Sequence, residues 1–211
     1  MSNNPMGVIL AGGQGARMGG LDKGLLEIKG RKLIEYTIAA IRPQVNSIII
    51  SANRNLGEYQ KFTQNVVTDI SAHYCGPLAG ILSVMIDLDA SFNKYSNDID
   101  LLILPCDMPL LPSDLTARLY ENREGTNKHQ AVIVNDGVRL QPLCCLLPLS
   151  LKQPLKAFLD AGNRKVMDWL QTIDVLTADF SDEKSKFINI NTEEDLLMVT
   201  SMLNSNVKSG H

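Results

Sequence analysis

Residues 10–30 read LAGGQGARMGGLDKGLLEIKG, and this stretch decides the fold. A short apolar run, GVILA at 7–11, leads into it, and a helical pattern, LIEYTIAAI at 33–41, follows it. Between them stand glycines at 12, 13, 15, 19 and 20, with Arg17 and Lys23 as the nearby cations. Glycine loses more backbone freedom on folding than any other residue, so this density signals a turn or a ligand that approaches the main chain closely. Main-chain N–H groups together with Arg17 and Lys23 make a cradle for a phosphate chain. Arg17 offers a fixed fork to a phosphate oxygen, and Lys23 a mobile point charge.

Two familiar phosphate loops fail the comparison. In the G-x-x-x-x-G-K-[ST] loop the lysine precedes a hydroxyl residue that binds magnesium, whereas Gly24 follows Lys23 here. The dinucleotide pattern G-x-G-x-x-G also fails, because Gly13-Gln14-Gly15 leads to Met18 at the last position.

Outward from the loop, short apolar runs alternate with helical patterns. SIIISA (47–52), NVVT (65–68) and DLLILP (100–105) read as strands. Helices are expected after Pro77, in LAGILSVMIDL, and from Pro112-Ser113-Asp114 through Tyr120. This β-α-β-α order predicts an α/β fold, a mostly parallel sheet with helices on both faces in three layers. The second half departs from that rhythm. QAVIV (130–134) and LQPLCCLLP (140–148) flank a turn at Asn135-Asp136-Gly137 and predict an antiparallel excursion. LKAFLDAG and VMDWLQTI read as helices and FININ (187–191) as a strand. Asn191 is expected to cap the last helix, with Glu194 completing a capping box. A single domain over 1–204 with a frayed tail at 205–211 is the simplest division of the chain.

Composition narrows the function. With 45% hydrophobic and 20% charged residues, the 211-residue chain has the make-up of a soluble globular protein. A net charge of −3 argues against a nucleic-acid partner. No segment approaches the roughly 20 apolar residues of a membrane span, and the N-terminus lacks a signal-peptide pattern. Cys75, Cys106, Cys144 and Cys145 contain no C-x-x-C spacing and read as buried, reduced thiols, which fits the cytoplasm. His73, His129 and His211 offer no zinc-like spacing.

Two further groups carry chemistry. In LPCDMPLLP (104–112), Asp107 follows an apolar strand in a turn stiffened by prolines 105, 109 and 112. A carboxylate there, facing a phosphate loop, suits Mg²⁺; the alternative is a helix cap, for which Ser113 or Asp114 is better placed. In TDISAHYCGPLAG (68–80), Asp69 ends a strand and is either a nucleoside contact or a turn residue.

Taken together, LAGGQGARMGGLDKGL, SANRN, TD at 68–69, GPLAGILS, LPCDMPLLP and FININTEEDL resemble, in order and across nearly the whole chain, the molybdenum cofactor guanylyltransferases. The resemblance implies a Rossmann-like nucleotidyltransferase fold. It also implies transfer of GMP from GTP to the terminal phosphate of molybdopterin, releasing pyrophosphate. By the same resemblance Leu10, Ala11, Gly12 and Gly13 line the nucleotide, Lys23 holds phosphates, Asn53 and Asp69 contact the nucleoside, and Asp107 binds Mg²⁺. Ser51 stands where many relatives have Asn. Phosphoryl-type transfer needs positioning and charge neutralisation more than a protein nucleophile, so Arg17, Lys23 and Asp107 form the expected catalytic set, with Arg17 on the leaving pyrophosphate. For the molybdopterin side the candidates are Arg164, Asn189 and Asn191. Delivery proteins and recipient molybdoenzymes are the possible protein partners. The rival readings are a cytidylyltransferase acting on molybdopterin or on a sugar or polyol phosphate, and a non-catalytic nucleotide-binding chaperone of molybdoenzymes. By the same resemblance Gly12-Gly13 favours guanine over cytidine, and the presence of both Lys23 and Asp107 favours catalysis.

Overall fold

The computed structural model describes residues 4–12, 21–70, 76–92, 98–127 and 129–208, with side chains as far as Asn204. Seven strands form one sheet in the order β5-β4-β1-β6-β8-β7-β9. They are β1 (Met6–Leu10), β4 (Ser47–Ser51), β5 (Val66–Val67), β6 (Asp100–Pro105), β7 (Ala131–Asn135), β8 (Leu140–Pro148) and β9 (Val175–Asp179). β1 runs parallel to both β4 and β6, β4 to β5, and β7 to β9. β8 alone is reversed, pairing antiparallel with β6 and β7. The antiparallel excursion is therefore present, turning through Gly137 at φ +82°.

The continuous apolar character of the strands follows from burial on both faces. Period two divides each run: Ile9, Ile50, Leu102, Leu104 and Cys144 face one core, and Val8, Ile49, Leu101, Ile103 and Cys145 the other. Helices α1 (Leu33–Ile41) and α4 (Leu115–Glu121) cover the first face. Helices α3 (Pro77–Phe92), α5 (Lys152–Asp160) and α6 (Val166–Leu170) cover the second. Cys106, Cys144 and Cys145 are buried free thiols, and burial pushes all three up from the ordinary cysteine range. Cys75 and His73 lie outside the described residues.

Several local expectations need correction. FININ is not a strand: residues 188–191 have no ladder partner, and Ile190 N–H donates to Asp107 O at 3.1 Å. The strand of this region is β9, which the apolar pattern of VLTAD marks only weakly. A short hairpin, β2 (Glu27–Ile28) with β3 (Arg31–Lys32), and a one-turn helix α2 (Leu56–Tyr59) were not expected either. The final helix α7 (Glu193–Lys208) continues beyond residue 204.

Helix α7 matters for the site. Val199, with Leu196, Met202 and Leu203, packs with Ile28, Leu33, Leu110 and Ile190 in a third, smaller apolar cluster. That cluster ties the late segment 188–203 to the β2–β3 hairpin and the start of α1. The chain's last helix is thereby brought to the loop that carries Lys23.

Candidate active site

Strand order reverses at β1: β4 and β5 lie on one side, β6 on the other. In open α/β sheets the crevice at the carboxyl ends of such strands is where ligands bind. Leu10 ends β1, and its carbonyl accepts Cys106 N–H at 3.1 Å, while Ala11 N–H donates to Ser51 O at 2.8 Å. The start of the glycine loop is thus clamped between the ends of β4 and β6. A Cβ on Gly12 would stand 3.4 Å from Asn53 Nδ2, so the two sequence motifs meet here. Gly80 of GPLAG has a packing role: a Cβ there would overlap Ser51 Oγ, so only glycine lets α3 approach the end of β4 this closely. Gly13 and Arg17 lie outside the described residues.

Lys23 opens a 3₁₀ turn, Lys23–Leu25, and its Nζ donates to Asp107 Oδ2 at 3.1 Å and to Asn191 Oδ1 at 2.6 Å. The side chains of Lys23 and Asp107 are 21% and 12% exposed, so this ion pair is largely withdrawn from water. Burial holds the Asp107 carboxyl above the usual carboxylate range, against the pull of the Lys23 ammonium. Asp107 does not cap α4; Asp114 stands at that N-cap position. Asn53 and Asp69 pair reciprocally, Asn53 Nδ2 donating to Asp69 Oδ2 at 2.7 Å and Asp69 N–H to Asn53 Oδ1 at 2.9 Å.

The cap of α7 sits one residue later than expected. Asp195 N–H donates to Thr192 Oγ1 at 3.1 Å, and Asp195 Oδ2 accepts Asn191 N–H and Thr192 N–H, both at 2.9 Å. Those bonds hold the Asp195 carboxyl below its ordinary range. With Thr192 and Asp195 making the box instead of Asn191 and Glu194, the Asn191 amide oxygen is left for Lys23.

Beside this cation opens a groove of about 710 Å³ whose lining includes Asn189, Asn191, Val138, Arg139 and Lys184. Asn189 Oδ1 is buried there with no hydrogen-bond partner among the described residues. Arg164 is not brought to the groove; its guanidinium donates to Leu159 O at 2.7 Å and Asn163 O at 2.5 Å, at the end of α5. Arg139 and Lys184 line the groove together with Asp136, Asp182 and Asp195, and were not singled out in the sequence, where neither belongs to a motif.

A magnesium ion suits this donor set. Among the described residues no three His, Cys, Asp or Glu side chains cluster to hold a metal. Mg²⁺ is commonly bound by one or two carboxylates plus substrate phosphates and water, and Asp107 is a hard oxygen donor of that kind at the crevice.

Residues 7–175 match the MobA-like NTP transferase domain family. The molybdenum cofactor guanylyltransferase of Shewanella halifaxensis is 46% identical over 187 residues, covering 89% of each chain. Among solved structures, molybdopterin-guanine dinucleotide biosynthesis protein A from Archaeoglobus fulgidus is similar with a TM-score of 0.73 at 22% identity, over 95% of this chain and 99% of that one. A 2-C-methyl-D-erythritol 4-phosphate cytidylyltransferase from Francisella tularensis shares the fold more distantly, with a TM-score of 0.67 at 17% identity over 93% and 98% of the two chains. By sequence along nearly its whole length, and by a fold shared with nucleotidyltransferases, this chain belongs to the molybdenum cofactor guanylyltransferase family.

Proposed function

We propose that the protein transfers GMP from GTP to the terminal phosphate of molybdopterin, forming the guanine dinucleotide cofactor. The observation that carries this reading is the position of Lys23. Its ammonium is held between Asp107 at the end of β6 and Asn191 at the edge of the open groove, where the two substrates would meet. GTP would lie over Leu10, Ala11, Gly12 and Gly13, with its nucleoside toward Asn53 and Asp69. Molybdopterin would occupy the groove against Asn189 and Asn191.

A terminal phosphate oxygen of molybdopterin attacks the α-phosphorus of GTP, and the bond from the α-phosphorus to the bridging oxygen breaks. Pyrophosphate leaves with that electron pair. The nucleophile is already an anion, so no general base is needed, and catalysis rests on alignment and charge. Lys23 offsets charge on the phosphates, and Arg17 is assigned to the departing pyrophosphate. Asp107 would hold Mg²⁺, which supplies further neutralisation of phosphate charge when bound. This reading assigns Arg164 no contact with the acceptor, because it does not line the groove.

No described helix is long and apolar enough to cross a membrane; we place the protein in the cytoplasm, where exchange with molybdopterin-delivering proteins and molybdoenzymes would occur. The test is pyrophosphate release from each of the four NTPs with molybdopterin and Mg²⁺ present. GTP is expected to give the highest turnover, and none is expected without added metal. Equal or greater turnover with CTP would overturn the guanine assignment.

A further inference from the structure

Lys23 is held at its ammonium by Asp107 and Asn191, but its backbone is held by a separate device. The preceding residue, Asp22, has a side chain only 6% exposed, and two hydrogen-bond donors and a guanidinium from another part of the chain converge on it. Tyr59 Oη donates to Asp22 Oδ1 at 2.5 Å, and Asn55 Nδ2 donates to Oδ2 at 3.0 Å. The Arg54 guanidinium lies 3.6 Å from Oδ2 through Nε, and its Nη2 donates to Leu21 O at 3.0 Å. Asn55 takes up the left-handed conformation, φ +52°, at the N-cap of α2. Asparagine is one of the few residues to visit that region readily. On the other side of Lys23, a Cβ on Gly24 would stand 2.7 Å from Tyr59 Oη and 3.3 Å from Cys106 Sγ, so the backbone after the lysine lies directly on the phenol.

We propose that Asp22 is a positioning residue, whose buried carboxylate gathers Arg54, Asn55 and Tyr59 and so locks the backbone of Lys23 to the loop that presents Asn53. The inference rests on the GMP-transfer reading, in which Lys23 contacts phosphate. Asn53 is the residue immediately before Arg54, so one rigid unit sets the spacing between the nucleoside contact and the phosphate cation. The β-branched or apolar residues that would serve a purely packed turn could not collect these donors. A carboxylate can, because its two oxygens accept from several directions at once.

The test uses the full chain with GTP and molybdopterin, comparing Asp22→Asn, Lys23→Ala and the double variant by steady-state kinetics and melting curves. Asparagine keeps the shape of Asp22 but loses the charge and one acceptor. Lys23→Ala should lower kcat by about 100-fold, the effect of removing one electrostatic stabiliser. Asp22→Asn should lower kcat by about 10-fold, as small misplacements of a reacting group do, while KM for GTP changes by less than about 3-fold. In the Lys23→Ala background Asp22→Asn should cause no further loss, because its effect passes through the lysine. Equal losses in both backgrounds, or a lowered melting temperature with unchanged kcat, would overturn the proposal. Tyr59→Phe removes one donor while keeping the ring, and should show the same non-additivity at smaller size even where Asp22→Asn folds poorly. A Lys23→Ala protein with normal turnover would instead defeat the underlying assignment of Lys23.

Discussion

The two walls of the crevice around Lys23 are built differently. On the β4 side, Asn53 and Asp69 satisfy each other, and Asp22 is surrounded by Tyr59, Asn55 and Arg54. On the α7 side, a groove of about 710 Å³ lies open and the buried Asn189 Oδ1 has no partner among the described residues. A buried, unpaired amide oxygen costs free energy in the unliganded protein, on the order of 1–3 kcal/mol. The difference teaches where each substrate's recognition is prepared. In the reading proposed above, the wall assigned to the nucleotide has its polar groups already paired, whereas the wall assigned to the acceptor holds polar capacity that an incoming donor, such as a pterin N–H, would satisfy.

The harshest way to break this comparison is at Asp107, where both walls meet. Asp107→Asn keeps the shape and can still accept from Lys23, but it removes the anionic oxygen that a hard cation needs. Turnover should fall by about 1,000-fold or more, on the scale of losing a principal electrostatic group. Burial already disfavours the Asp107 carboxylate, so the melting temperature should not fall. Titrating Mg²⁺ against turnover for both proteins checks this, and full activity in a folded variant would remove the metal assignment.

A smaller effect should separate the walls. Asn189→Ala should raise KM for molybdopterin by about 10-fold, the loss of roughly one hydrogen bond, and leave KM for GTP unchanged. A rise in KM for GTP instead would place the nucleotide on the α7 side and reverse the comparison.

The smallest effect concerns the support beneath the nucleotide wall. On α2, Glu58 accepts from Lys32 Nζ at 2.7 Å and Lys61 Nζ at 2.5 Å. The bond from Lys32, then that from Lys61, holds its carboxyl down at about 2, below the ordinary 4.5. A depressed acid stabilises the fold fully above its unfolded value and loses that contribution as pH falls through the folded one. The melting-temperature difference between the wild-type protein and Glu58→Gln should therefore be constant above pH 4.5 and vanish as pH falls toward about 2. A difference that persists at pH 2 would assign Glu58 a packing role instead.

Legibility in the sequence follows the range of the interactions. The strands β1, β4 and β6 were readable because continuous apolar runs of five or six residues between turn signals have few other solutions in a doubly covered sheet. FININ misled because its alternation satisfies the strand pattern, while the segment pairs with no strand and is held by one backbone bond to Asp107 O, by burial of Phe187 and Ile190, and by Lys23 on Asn191. The α7 cap was displaced because Asn191, Thr192, Glu194 and Asp195 all suit a capping box, and the demand of Lys23 on Asn191 selects between them. Asp22 was invisible for a related reason: its partners Asn55 and Tyr59 are 33 and 37 positions away, and no local pattern announces them. Lys23 and Asp107 were singled out by residue type, the one in the glycine loop and the other after an apolar strand, and the structure brings their side chains together.

The return of α7 to the β2–β3 hairpin has a consequence for the order of synthesis. The sheet is complete in sequence once β9 has emerged at Asp179, yet Asn191 and the α7 residues that seat it come later. At the usual 5–20 residues per second, the roughly 20 residues from Asp179 to Val199 take about 1–4 s to add. During that interval a nascent chain holds all seven described strands of the main sheet but not Asn191 beside Lys23. In the reading proposed above, the acceptor wall is thus completed only after the sheet, and a chain interrupted after β9 would lack Asn191 beside Lys23.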